Sequence, residues 1–331
     1  MKISCAVAAS LLILAFAAAS AQEKKPPTLN VAYSATSGTF SPLWVAADQG
    51  LFAKYGLDVR ITYIQGNRVL MAALTAGEVQ LYQGAAEGLI RFISGGGDGL
   101  LIASQYNFVG HYVLMTDPSI ARLEDLRGKR IAIDPTSPTY GYMLKVLEHA
   151  GIKKDEVTFV QFGTSGQTER TMALLKKQAA ATLLSPPNTY AAEKQGLRRF
   201  SIVRDLAIRQ LITVTGTTRK FVRERRDSAE AFLRGYLDGI ATVQSRRDAT
   251  LKSMAKYTRQ SDPEVLGKYY TELVESLPRI PYVEEASALA TVEAMQQQGP
   301  PLPKIDAKTI YDNGLLNRLE SDGFVEKLHT R

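Results

Sequence analysis

From Leu29 onward, short runs of apolar and β-branched residues alternate with stretches whose apolar positions recur every three or four residues. That alternation predicts βαβ units and a mainly parallel sheet. Strands are expected over 29–35, 58–64, 79–84 and 99–106, with intervening helices beginning at Pro42, Arg68 and Glu87. In the first helix Ser41 suits the N-cap, Pro42 the first helical position, and Phe40 is placed to staple onto Val45. Trp44, Val45, Ala47, Leu51, Phe52 and Tyr55 form its apolar stripe, and Gly56 stands where a left-handed terminator is wanted. The second helix repeats the plan, with Asn67 as cap and Gly77 as stop.

After VGHYVLMTDPSI the pattern restarts, with strands expected over 129–135, 157–163, 180–185 and 200–206 and helices from Pro138, Gln167 and Pro187. The segment 211–218 reads as the strand that carries the chain back out. Residues 228–277 are helical and amphipathic, and a Pro- and Gln-rich tail precedes a short terminal helix near 320–328. The whole predicts an α/β protein of two lobes, each a mainly parallel sheet flanked by helices.

A recurring junction is a strand that ends in Ser-Pro and enters a helix: Ser41-Pro42, Ser137-Pro138 and Ser185-Pro186-Pro187. In parallel α/β sheets the ligand crevice lies at the carboxyl ends of strands, where such turns occur. Each turn offers free backbone N–H groups and the positive end of a helix dipole to an anionic group. Ser-Pro is equally a good helix start, so the argument needs two such turns facing one another across a cleft.

The N-terminus reads as a secretory signal: Lys2, an apolar run over 6–19, and Ala19-Ser20-Ala21 as the cleavage triplet. The run is shorter than the roughly 20 apolar residues of a membrane span. Cleavage after Ala21 places the product in the periplasm and removes Cys5, the single cysteine, so thiol catalysis and Cys-ligated metal are excluded. The net charge of +7 is scattered, and the densest basic run, 219–226, reads as a solvated helix face. It lacks the aromatic interleaving of a nucleic-acid site, so no nucleic acid is expected. His111, His149 and His329 have no metal-ligand spacing; His149 reads as a surface residue near a helix end and His111 as a minor contact near the hinge. No G-x-S-x-G elbow occurs, and Gly95-Gly96-Gly97 lacks the lysine of a phosphate loop.

The stretch 40–81 resembles the periplasmic solute-binding proteins of importers for nitrate, sulfonates, taurine and thiamine-precursor pyrimidines. The resemblance lies in Pro42 to Phe52, Tyr55 to Val59 and Ala76 to Glu78, and continues through LEDLRGKRIAI (123–133) and 134–152. It implies a type II periplasmic-binding fold, with 28–115 plus 216–331 as the first lobe and 116–215 as the second, hinged near 114–118 and 212–218. It implies a non-enzymatic protein, monomeric, without cofactor or metal, that closes on a solute and is read by the permease of an ABC importer. Carried over by position, the first-lobe contacts are Ser37, Gly38, Thr39 and Phe40, then Gly66 and Asn67, then Gln83, Gly84 and Ala85, with Tyr106 and Phe108 after the fourth strand. The second-lobe contacts are Thr136, Ser137, Tyr140, Thr164, Ser165, Ser185 and Asn188. Trp44 is either a site wall or a core residue, and Arg68 either an anion fork or a solvated charge. Because the second lobe's proposed loops hold no arginine or lysine, the expected ligand is neutral or singly negative; the resemblance implies a small anionic or heteroaromatic solute. Two alternatives stand beside this reading: a pyrimidine-precursor synthase-like enzyme on the same fold, and a ligand-sensing input for a signalling partner.

Overall fold

The computed structural model describes residues 25–135, 137–163, 166–298 and 302–330. The expected signal segment and its cleavage site lie outside the described residues. The chain forms two five-stranded sheets. The first runs β2 (Asp58–Tyr63), β1 (Thr28–Tyr33), β3 (Leu81–Gly84), β10 (Val214–Thr218), β4 (Gly99–Ser104). The second runs β7 (Thr158–Val160), β6 (Arg130–Ala132), β8 (Ala181–Leu184), β5 (Val113–Thr116), β9 (Arg198–Phe200). β1, β2 and β3 pair parallel, as do β6, β7 and β8, which is the expected βαβ pattern. β10 enters the first sheet antiparallel between β3 and β4, and β5 enters the second antiparallel between β8 and β9.

Both sheets are buried on two faces, which is why their strands read as continuous apolar runs. On one face of the first sheet, Leu29, Val31 and Leu81 pack with Trp44 of helix Ser41–Asp48 and with Phe232, Tyr236 and Ile240 of helix Arg226–Ser245. The two helices touch so closely that a Cβ on Gly239 would lie 2.4 Å from the Pro42 carbonyl oxygen, so only glycine fits there. The opposite face buries Ala32, Tyr82 and Leu101 beneath Leu70, Ile90 and Val292. The second sheet has a larger core around Leu114, Ile131, Met143 and Leu183, and a smaller one around Met115, Ala132 and Leu184.

Several boundaries differ from the sequence reading. The segment 200–206 is not one strand: β9 ends at Phe200 and helix Ile202–Asp205 follows. β5 belongs to the second sheet, so the first crossing precedes Val113 rather than lying at 114–118. It runs antiparallel to the returning crossing, with Val109 N donating to Ile208 O, Gln210 N to Asn107 O and Ile212 N to Tyr106 O. The expected hinge is thus a two-stranded ribbon, whose backbone bonds hold both crossings together. Gly66, not Asn67, caps helix Asn67–Thr75, and Ser41 lies inside its helix because the capped turn begins earlier, at Ser37. The terminal segment is two short helices, Gly314–Ser321 and Phe324–His329. Among the described residues no helix is long and apolar enough to cross a membrane.

Candidate functional site

The Ser-Pro junctions of the two sheets meet. After β1, Ser37 caps the turn Gly38–Phe40, with its Oγ 3.5 Å from Thr39 N and 3.3 Å from Thr39 Oγ1. Ser41 Oγ closes the turn by donating to Gly38 O at 2.6 Å. After β8, Ser185 N donates to Gln167 Oε1 at 2.6 Å, and Gln167 Nε2 donates to Ser185 Oγ at 2.9 Å. The Oγ atoms of Ser37 and Ser185 are 3.1 Å apart, so one hydroxyl network runs from the first lobe to the second. Both serines are nearly inaccessible, at 6% and 1% exposure.

Further contacts join the lobes at the rim. Lys194, on helix Asn188–Lys194, reaches Asp262 at 2.7 Å and Glu264 at 2.8 Å, and Tyr190 donates to Glu272 on helix Pro263–Ser276. Burial and then the Glu272 carboxylate push the Tyr190 phenol up to about 12. Beside this rim lies a cavity of about 440 Å³ with walls from both lobes, including Thr36, Tyr63 and Arg259 of the first and Thr168, Thr171 and Asn188 of the second.

The other sequence-predicted residues divide. Gln83 is sealed from solvent, its Nε2 donating to Thr215 Oγ1 at 3.1 Å while Oε1 has no partner. Gly84 leaves no room for a side chain, since a Cβ would fall 2.7 Å from Ser34 Oγ. Ser137 Oγ donates to Asp134 O and shares a 2.8 Å bond with Thr139 Oγ1, while Tyr140 packs edge-on against Phe159 at 4.8 Å. Tyr106 stacks on His111 at 5.5 Å, and burial raises its phenol to about 12. Thr136, Thr164 and Ser165 lie outside the described residues, as does the side chain of Asn67.

Four of the predicted residues stand outside this hydroxyl network. Trp44 and Phe40 are 0% and 3% exposed and belong to the first-lobe core, where Trp44 stacks on Tyr257 at 5.0 Å. Arg68 is exposed and forms no hydrogen bond or ion pair among the described residues. Phe108 is held in the hinge, 4.7 Å beneath the Arg209 guanidinium, and pairs with Arg209 across the ribbon.

Sequence reasoning missed four residues. Arg170 is 6% exposed in helix Gln167–Leu175, its Nε without a partner. Burial pulls its guanidinium below the ordinary value against weaker opposing charges from Tyr112, Glu169 and Asp134. Glu87 opens helix Ala86–Ser94, accepts from Gln210 Nε2 at 2.9 Å and leaves Oε2 buried without a partner. Burial raises its carboxyl to about 7. Tyr112 lies within the field of both: burial raises its phenol, the Arg170 charge opposes this and the Glu87 charge adds to it. Tyr269 covers the Ser37 turn so closely that a Cβ on Gly38 would lie 1.9 Å from its Cε1, and its hydroxyl is buried without a partner. The signal for Arg170 and Glu87 was a charge on an apolar helix face, easily taken for solvated surface; Tyr269 carries no local signal, because it arrives from a distant helix.

Among the described residues no cluster of three or more His, Cys, Asp or Glu is placed to hold a metal. A search of curated protein sequences gave no match. Among solved structures, a protein from Bordetella bronchiseptica RB50 superposes with a TM-score of 0.74 at 19% identity, over 89% of this chain and 97% of the other. The periplasmic aliphatic sulphonate binding protein SsuA from Escherichia coli gives 0.67 at 16%, over 84% and 94%. The desulfurization enzyme DszB gives 0.67 at 14%, over 88% and 99%. These likenesses establish the two-lobed periplasmic-binding-protein fold. Residues 37–249, which hold the Ser37 turn, the hinge, Arg170 and Ser185, match the family described as NMT1/THI5 like, and the chain belongs to that family.

Proposed function

We propose that this protein is an exported solute-binding protein that closes its two lobes on a small molecule and presents the closed form to the permease of an ABC importer. The observation that carries this reading is the meeting of the Ser37 and Ser185 turns, one from each lobe, in a buried hydroxyl network. Buried polar atoms without partners lie on the elements that carry this contact: Tyr269 OH against the Ser37 turn, Arg170 Nε on the helix of Gln167 and Thr189 Oγ1 on the helix that follows Ser185. Buried polar groups are normally paired, and a polar solute between the lobes supplies the missing partners. Similarity to sulphonate-binding SsuA supports a solute-binding role over a catalytic one. DszB shares the fold, so the non-enzymatic reading rests on this chain's residues: Cys5 is its single cysteine, and the serines of the cleft have no histidine partner among their hydrogen bonds.

A thermal-shift screen of the purified protein against sulfonates, carboxylates, nitrate and pyrimidines tests the reading. A binder raises Tm in proportion to RT ln(1 + [L]/Kd). Recovery of the solute unchanged after prolonged incubation is expected, and turnover would contradict the proposal.

A further inference from the structure

We infer that Arg170 is the anchor for a singly charged oxyanion, a carboxylate or sulfonate, on the solute that the cleft takes up; this rests on the solute-binding reading above. Arginine is nearly always paired when buried, because its charge loses hydration that only a hydrogen-bonded counter-charge restores. Arg170 is 94% buried by its 6% exposure, yet its Nε has no hydrogen-bond partner, and the charges of Glu169 and Asp134 oppose its burial less strongly than burial acts. Its neighbours make the position specific. Gln167, one turn earlier on the same helix, is engaged with Ser185 in the network that bridges the lobes, so the side chain stands beside the cleft. Tyr112, in the first crossing, feels the charges of both Arg170 and Glu87.

The ligand's charge follows from that arrangement. A planar guanidinium matches two oxygens of a carboxylate or sulfonate in a bidentate fork. Glu87 opens a first-lobe helix and its charge also reaches Tyr112, so a second negative charge on the solute would be opposed there. The half-buried rings of Tyr106, His111 and Tyr112, at successive centroid distances of 5.5 and 4.3 Å, give the body of the solute an aromatic wall.

The test compares anions with neutral analogues of the same shape by thermal shift and calorimetry, on the wild type and on Arg170→Met and Arg170→Gln. The probe pairs are benzoate with benzamide and methanesulfonate with dimethyl sulfone, with inorganic sulfate as the dianion and ionic strength held constant. The wild type is expected to be stabilised by at least one anion, less by its neutral analogue and less by sulfate. Either substitution is expected to weaken that anion at least about 30-fold. Without any probe, Arg170→Met is expected to melt about 3 °C or more above the wild type, because an incompletely paired buried charge has been removed. Neutral analogues that bind as well as the anions, an anion preference retained in both variants, or no anion effect on the wild type would overturn the inference. In the first case solute binding itself stands; if no solute of any charge binds, both readings fall.

Discussion

Ser37 Oγ and Ser185 Oγ stand 3.1 Å apart across the cleft, although 148 residues separate them in the chain. Each hydroxyl is held in place from its own side, Ser37 by the Thr39 turn and Ser185 by Gln167. The bond therefore measures lobe closure rather than local folding. Ser37→Ala removes it while leaving the Gln167 anchor of Ser185 intact. A net loss of about 1 kcal/mol is expected, a roughly fivefold shift toward the open form. Small-angle scattering of the solute-free protein should show a larger radius of gyration for the variant; an unchanged radius would remove this bond from the closure equilibrium.

The rim contacts of Lys194 with Asp262 and Glu264 are solvent-exposed, with 42% of the Lys194 side chain accessible. Exposed pairs contribute about 1 kcal/mol or less and are screened by salt. Solute affinity of the wild type should accordingly fall by a few-fold between low and high salt when the probe is neutral. Lys194→Gln should flatten that dependence. Equal salt slopes in the two proteins would show that the rim does not contribute to closure.

Glu87 makes stability depend on pH with a definite sign. Its folded carboxyl titrates near 7 because burial disfavours the anion, above its ordinary value of 4.5. Between those values the native state binds more protons than the unfolded chain, so stability falls as pH rises through the window. The penalty at pH 8 is of order 3 kcal/mol. Glu87→Gln keeps a partner for Gln210 and removes the penalty. Its Tm should match the wild type near pH 4.5 and exceed it at pH 8. His111, whose imidazole is pushed down to about 3 by burial, acts oppositely, destabilising the fold as pH drops below about 6.5 in both proteins alike. A constant Tm difference across the range would contradict the Glu87 account.

Gly38 permits Tyr269 to lie on the Ser37 turn, where a Cβ would fall 1.9 Å from the ring. Gly38→Ala is expected to cost about 1–3 kcal/mol through displacement of the ring. Pairing it with Tyr269→Leu should recover part of that loss, giving a non-additive cycle in denaturant unfolding. Strict additivity would mean that the ring and the turn are not in contact.

Much of the architecture was legible in the residues. The apolar runs of β1, β3, β6 and β8 sit where apolar periodicity put them, because strands buried on both faces leave a short, continuous signal. The Arg198–Asp205 stretch was misread because a three-residue strand and a four-residue helix are each too short to establish a period. The serine turns at 41 and 185 were legible as helix starts and Ser37 only as a contact implied by the resemblance; the bond between Ser37 and Ser185 was not legible, since it depends on tertiary closure. Trp44 followed its helical stripe into the core rather than the cleft. Arg170 was hidden for the converse reason: burial of a guanidinium is decided by what surrounds it, and a search of loops for basic residues passes over one in a helix's second turn.

Closure on a solute is the central claim, and distances between spin labels across the cleft test it most directly. Gln195 and Lys268 are exposed and belong to facing rims of the second and first lobes, and Cys5, the chain's single native cysteine, is changed to serine so that only the introduced pair is labelled. With cysteines at 195 and 268, the labelled protein is expected to show a broad or long distance distribution alone and one narrow, shorter distance with a saturating solute from the thermal-shift screen. A distribution that the stabilising solute leaves unchanged would contradict a cleft that closes on its ligand.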